Sequence, residues 1–317
     1  MLPDRRAPRF AQFMMTNLRS IPGARIEERA AHEKCARLAR SHYENFPVLG
    51  PLLLPSERRD LAAVYAFCRT TDDLGDEAEG DRVVLLETWR QRVEAALAGH
   101  ASTDAPVLVA LARTARARGL EPELFYRLIE ANRRDQIFHR FPDRAALLEY
   151  CDHSATPVGR MVLGVAGVHD ESLAALADAT SIGLQLANFW QDLARDRDRG
   201  RCYLPLSDCR RHGLDPDVEL SLPSASTALR ALVAEEVDWA REFLTRGWPL
   251  ADRLPLRWRP LVRAFTRGGW AICDAIDRQG QDTLVRRPTI DSRQRSRFLL
   301  AECARAWRVG VSPPGIA

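Results

Sequence analysis

Apolar residues recur at three- and four-residue spacing along almost the whole chain, and alternating β-branched runs do not occur. This periodicity predicts helices near residues 27–45, 56–79, 82–98, 104–118, 121–139, 143–168, 170–197, 225–246, 257–280 and 291–308. Helix-breaking punctuation separates them: Pro47 to Pro55, Gly99, Gly119, Pro142, Gly167, Gly200 to Pro223, and Pro249 to Pro255. No linker is long or biased enough to divide the chain, so the pattern predicts an all-α fold. Residues 1–26 read as a loose N-terminal extension, 27–308 as one helical domain and 309–317 as a C-terminal tail.

Composition narrows the function classes. The chain is 46% hydrophobic and 28% charged, which allows a buried core across its 317 residues. A net charge of +3 is too small to argue for nucleic acid, and no nucleic-acid partner is expected. Of the 46 basic residues Lys34 is the only lysine, a bias that suits phosphate binding in general but locates no site. Seven scattered cysteines form no C-x-x-C pair, and no apolar run approaches the ~20 residues of a membrane span. With no secretion signal evident, the expectation is reduced thiols in the cytoplasm.

Two segments depart from ordinary surface chemistry. The first reads Tyr65-Ala-Phe-Cys-Arg69-Thr-Thr-Asp72-Asp73-Leu-Gly-Asp76-Glu77. At about 100° per residue, Tyr65, Arg69, Asp72 and Asp76 fall within roughly 60° of arc, with Asp73 at its edge. The second places Gln185, Asn188, Asp192 and Asp196 within roughly 80°. Carboxylates stacked one turn apart repel. Apolar neighbours (Leu61, Ala62, Val64; Ile182, Leu184, Leu186) predict that both faces point inward, where unpaired carboxylates need a cation. All-oxygen ligands suit Mg²⁺ shared with substrate phosphates, and two opposed faces would stabilise a leaving diphosphate. A pair of solvated acidic faces is the alternative.

These residues resemble the squalene and phytoene synthase family over roughly residues 30–300. Tyr65–Asp76 is similar to that family's first aspartate-rich motif and Asn188-x-x-x-Asp192-x-x-x-Asp196 to its second. Gly200-Arg201-x-Tyr203-Leu204-Pro205 and Tyr150-Cys-Asp-His-Ser-Ala155-Thr-Pro-Val158-Gly159 resemble two further segments. The resemblance implies the helical isoprenoid synthase fold around a central cavity. It also implies Mg²⁺ ligation by Asp72, Asp76, Asn188, Asp192 and Asp196, and diphosphate contacts from Arg69, Arg201 and Tyr203. Substrate would be lined by His42, Asn45, Phe46, Tyr65, Tyr150, Ala155, Val158 and Gln185.

The chain also departs from relatives that join two prenyl diphosphates. Glu44 stands at a basic position of their Ser-x-Ser-Phe segment, and Gln191 replaces the Arg before the second motif's central Asp. Losing two cations argues for a substrate with one diphosphate. The His42–Pro47 and Asn188–Asp192 stretches resemble the bacterial branch that converts presqualene diphosphate to hydroxysqualene in hopanoid-type pathways. That branch ends in water capture, with Asn45, His153, Ser154 and Thr156 as candidate water holders, and no NADPH is expected. The rival readings are a condensing synthase and a non-catalytic helical binding protein; the complete ligand set counts against the latter. A lipid substrate makes loose contact with the inner membrane face compatible with a cytoplasmic protein.

Overall fold

Proline and aspartate open most of the helices, as their fixed φ and side-chain acceptors dictate. The computed structural model describes residues 28–41, 52–101, 105–137, 140–305, 307–310 and 312–314. Among these there is no strand, only an isolated bridge between Phe141 and Pro205. The contacts group into two compact units.

The first unit comprises the described residues up to Ile137 together with Met161–Gly167. It contains α1 (Glu28–Ser41), α2 (Pro55–Asp76), α3 (Arg82–Ala95), α4 (Pro106–Arg118) and α5 (Pro122–Arg134). A π turn, Ala96–His100, closes α3. Pro55, Pro106 and Pro122 begin their helices, and Asp81 caps α3 by accepting from the Val83 and Val84 amides. Helix α2 is the centre, packed by α1, α3, α4 and α5. Its Phe67 stacks on Trp89 at 6.2 Å and meets the edge of Phe125 at 5.2 Å. The Trp89 indole donates to Thr71 at 3.0 Å, so the same core that buries α2 also sets its rotation.

The second unit comprises Phe138–Arg160 and the chain from Val168 onward. Its helices are α6 (Arg144–Ser154), α8 (Glu171–Gln191), α9 (Leu193–Asp198), α10 (Leu206–Arg211), α11 (Pro216–Ser221), α12 (Thr227–Gly247), α13 (Leu250–Arg253), α14 (Arg259–Arg278) and α15 (Ser292–Arg305). Helix α7 (Thr156–Val165) begins in this unit and ends in the first. Helix α8 packs on α12 and α14, and α15 on α14. A buried polar network ties α6, α10 and α12 together. Arg144 lies over Trp239 at 4.7 Å and reaches Asp208 at 2.6 Å, Glu235 at 2.8 Å and Glu236 at 3.2 Å. Burial, then a shared hydrogen bond with Asp208, pushes the fully buried Glu236 up to about 8. Burial acts upward on Asp208 too, but hydrogen bonds from Glu236 and Arg211 hold it at about 2. Glu236 is therefore the protonated donor of the pair.

Two expected helices are broken. The 143–168 helix divides at Ala155 (φ −117°, ψ −50°), two residues before Pro157, which has no N–H to continue the helical ladder. The 170–197 helix divides at Asp192 (φ −108°, ψ 15°). The stretches 200–223 and 249–255, expected as breaks, hold α10, α11 and α13, each too short to show a period. Helix α5 stops at Arg134 rather than near 139.

Candidate active site

Helix α2 carries the first acidic face on its last two turns. Asp72 is solvent-accessible and Asp76 half-buried, so this face is not sealed in the core as its apolar neighbours suggested. The buried side of α2 is instead formed by Leu61, Ala62, Val64, Phe67 and Leu74, together with Asp73. Arg69 turns to that edge: its guanidinium meets Asp73 at 2.5 Å and Glu77 at 3.0 Å. Packing around the carboxyl and repulsion from Asp76 raise Asp72 to about 7. The Arg69 charge draws Asp72 down, but by less than its packing and Asp76 push it up.

Two polar residues, Asn132 of α5 and Gln136 just beyond it, complete this face and gave no motif in the sequence. Asn132 donates to Asp72 at 3.4 Å, and Gln136 donates to the Gly75 carbonyl at 3.0 Å. Gly75 permits the approach, because a Cβ there would stand 2.6 Å from the Asn132 side-chain oxygen. A glycine inside a charged helical turn, and an Asn and Gln one turn apart beside Phe125, Leu128 and Ile129, were the available signals.

The second acidic segment is built differently. Asp192 is buried and takes a two-pronged ion pair from Arg287, with one contact at 2.9 Å. Arg287 also donates to the Gln191 side-chain oxygen at 3.1 Å, while the Gln191 amide donates to the Pro288 carbonyl at 2.5 Å. A cation from position 287, which sequence reading did not single out, thus lies against both Gln191 and Asp192. Arg287 shares a cavity of about 320 Å³ with Arg278, Gln279, Arg286 and Thr289, a lining with three cations and no carboxylate. Asp196 keeps the helical hydrogen bond to the Asp192 carbonyl at 2.9 Å across the break. Gly200 (φ 75°) then reverses the chain, so that the Arg201 amide donates to the Asp196 carbonyl at 2.8 Å. Arg201 is buried, Asn188 exposed, and Gln185 and Asp196 intermediate.

The remaining expected residues divide by environment. Tyr203 stacks on Phe189 at 4.0 Å and lies 5.7 Å from both Tyr150 and Phe141, a buried aromatic cluster below the Gly200–Pro205 turn. That turn is pinned where the Leu206 amide donates to the Phe141 carbonyl at 2.9 Å. Ala155 is buried, while Val158 and Tyr65 are intermediate. His153 bonds back to the Glu149 carbonyl of its own helix and Thr156 donates to the Asp152 carbonyl of the preceding helix α6, each at 3.0 Å, and the Ser154 hydroxyl is buried with no hydrogen-bond partner. His42, Glu44, Asn45 and Phe46 lie outside the described residues.

Among the described residues no three His, Cys, Asp or Glu side chains gather into a metal-holding group. Helix α2 offers a pair of hard oxygen donors rather than a cage. That pair fits Mg²⁺, which retains waters and takes its other ligands from phosphate oxygens.

Comparison with known proteins agrees with this geometry. The squalene/phytoene synthase family profile matches residues 39–294. A presqualene diphosphate synthase from Zymomonas mobilis is 33% identical over 69% of this chain and 79% of its own length. A hydroxysqualene synthase from Rhodopseudomonas palustris is 35% identical over 67% and 71%. The crystal structure of squalene synthase HpnC from Alicyclobacillus acidocaldarius superposes with a TM-score of 0.75 at 41% identity, covering 83% of this chain and 98% of that one. The α2 acidic face, the broken helix at Asp192 and the Gly200–Pro205 turn thus stand in a chain that belongs to the squalene/phytoene synthase family.

Proposed function

We propose that the protein is a hydroxysqualene synthase, converting presqualene diphosphate and water to hydroxysqualene and diphosphate. The observation that carries this reading is Gln191. Its side chain is neutral, buried and committed to Pro288 and Arg287, so the helix presents no cation of its own before Asp192. A similarity to a hydroxysqualene synthase at 35% identity supports it.

In this reading Asp72, Asp76, Asn188, Asp192 and Asp196 hold Mg²⁺, which when bound supplies Lewis-acid stabilisation of the departing diphosphate. Arg69 and Arg201 bind phosphate oxygens, and Arg287 joins them once released from Asp192. Tyr65, Tyr150, Tyr203 and Gln185 shape the isoprenoid surface, with His42, Asn45, Phe46, Ala155 and Val158. Aromatic faces there favour a migrating carbocation. The unpartnered Ser154 hydroxyl is suited to hold the water that captures it.

The test is product analysis with presqualene diphosphate, Mg²⁺ and ¹⁸O-labelled water, without NADPH. Hydroxysqualene carrying the label is expected. Squalene formed only when NADPH is added would overturn the assignment.

A second reading has its own support. Arg278, Arg286 and Arg287 around one cavity could serve a second diphosphate, as a presqualene diphosphate synthase requires. Incubation with farnesyl diphosphate and Mg²⁺ separates the two, because efficient accumulation of presqualene diphosphate would favour condensation.

A further inference from the structure

The three most exposed large hydrophobic side chains among the described residues are Trp307 (79%), Leu300 (67%) and Val309 (66%). All three belong to α15 and the segment just beyond it. At about 100° per residue, Arg293, Arg297, Leu300 and Ala304 share an arc of roughly 60° on α15, and all four are exposed. Trp307, Arg308 and Val309 follow, exposed in turn.

The exposure is enforced by the fold. Arg263, 1% exposed, pairs with Asp252 and donates to the Arg308 carbonyl at 3.1 Å. The Gly310 amide donates to Asp252 at 2.7 Å, so the segment carrying Trp307 and Val309 is held at both flanks. Glu302 is the only acid between residues 292 and 310. It is fully buried and meets Arg267 at 3.0 Å, which fixes the rotation of α15 on α14. Every exposed charge on this stretch is consequently positive.

An apolar stripe ending in tryptophan and bordered only by cations matches the chemistry of a helix that lies in a lipid interface. A second copy of the chain is a poor occupant, since arginines would face arginines. An acidic protein would satisfy the arginines but give no reason for three apolar side chains held in water. We propose that the outer face of α15 and residues 307–309 form a docking surface for an anionic phospholipid bilayer. Trp307, Leu300 and Val309 enter the boundary between headgroups and acyl chains, and Arg293, Arg297 and Arg308 contact lipid phosphates. The surface is independent of the reaction assigned above, and no helix of the described residues is long and apolar enough to cross a membrane.

Co-sedimentation of the full chain with phosphatidylglycerol–phosphatidylcholine vesicles, against pure phosphatidylcholine, tests this. Binding to the anionic vesicles that weakens with salt is expected, together with a blue shift of tryptophan emission. The other six tryptophans are buried, so Trp307→Ser should abolish that shift. Trp307→Ser with Leu300→Ser should weaken binding at least about tenfold, as should Arg293→Gln with Arg297→Gln. Unchanged circular dichroism in these surface variants confirms that folding is intact. Equal affinity for neutral vesicles, no vesicle binding, or full binding by Trp307→Ser would overturn the proposal. So would a concentration-dependent dimer that disappears in Trp307→Ser while vesicles are ignored.

Discussion

The carboxylates at the end of α2 and those of the second unit meet the same physical problem in opposite ways. Asp72 and Asp76 stack on one helix face, and Arg69 of the same helix is engaged by Asp73 and Glu77. Packing around the carboxyl and the repulsion from Asp76 together raise Asp72 to about 7. Asp192, by contrast, is buried against Arg287, and Asp208 against Arg144 and a protonated Glu236. One region stacks two carboxylates a turn apart, with the Asn132 amide donating to Asp72. The other carries its cations within the chain. Residues with the same sequence signature therefore differ in what metal binding must do: at α2 it relieves repulsion, whereas at Asp192 it competes with an arginine already in place.

The largest expected effect is on turnover. Asp72→Asn and Asp192→Asn should each lower it at least ~100-fold, as when a positioned ion loses a ligand. Full activity of either variant, or in EDTA, would remove the Mg²⁺ assignment. The same pair sharpens the contrast when metal-free stability is measured at pH 8. Asp72→Asn removes a repelling charge and should raise Tm. Asp192→Asn leaves Arg287 without its carboxylate and should lower it. Shifts of the same sign would mean that the two regions are not compensated differently.

Arg287→Met comes next. Asp192 then loses its partner, and a cost of about 1–3 kcal/mol is expected, below that of a fully buried pair because Arg287 is 34% exposed. If Mg²⁺ and the arginine compete for Asp192, added Mg²⁺ should raise the Tm of Arg287→Met more than that of the wild type. Identical Mg²⁺-induced shifts would show that Arg287 does not occupy the ion's place.

What the sequence disclosed follows the reach of each interaction. Helices α2, α4 and α5 were legible because Pro55, Pro106, Pro122 and Gly119 punctuate a steady apolar period. The motif resemblances were legible too, since each is a contiguous run, and the family match over residues 39–294 agrees with them. The break at Asp192 was not, because the apolar period runs through it and the hydrogen bond from Asp196 to Asp192 survives. Arg287 was hidden for another reason. It lies 95 residues from Asp192, and one arginine in so arginine-rich a chain carries no local signal. The solvent accessibility of Asp72 was misjudged from its apolar neighbours, which bury the adjoining stripe of α2 rather than its own.

The smallest expected effect concerns pH and belongs to the internally compensated region. Glu236 has a folded value of about 8 against an ordinary 4.5, so the folded chain binds its proton more tightly than the unfolded chain does. Its contribution to stability is therefore complete below about 4.5 and disappears as pH rises through about 8. Asp208, held at about 2 against 3.8, acts in the other direction: its contribution is complete above about 3.8 and is lost as pH falls through about 2. Together they give the network joining α6, α10 and α12 a stability plateau at mildly acidic pH and a decline toward alkaline pH. Glu236→Gln retains a donor for Asp208 but cannot ionise. Thermal melts of this variant should match the wild type near pH 5 and lose fewer degrees between pH 6.5 and 9. A wild-type-like alkaline decline in Glu236→Gln would place the titrating group elsewhere and dissolve this half of the contrast.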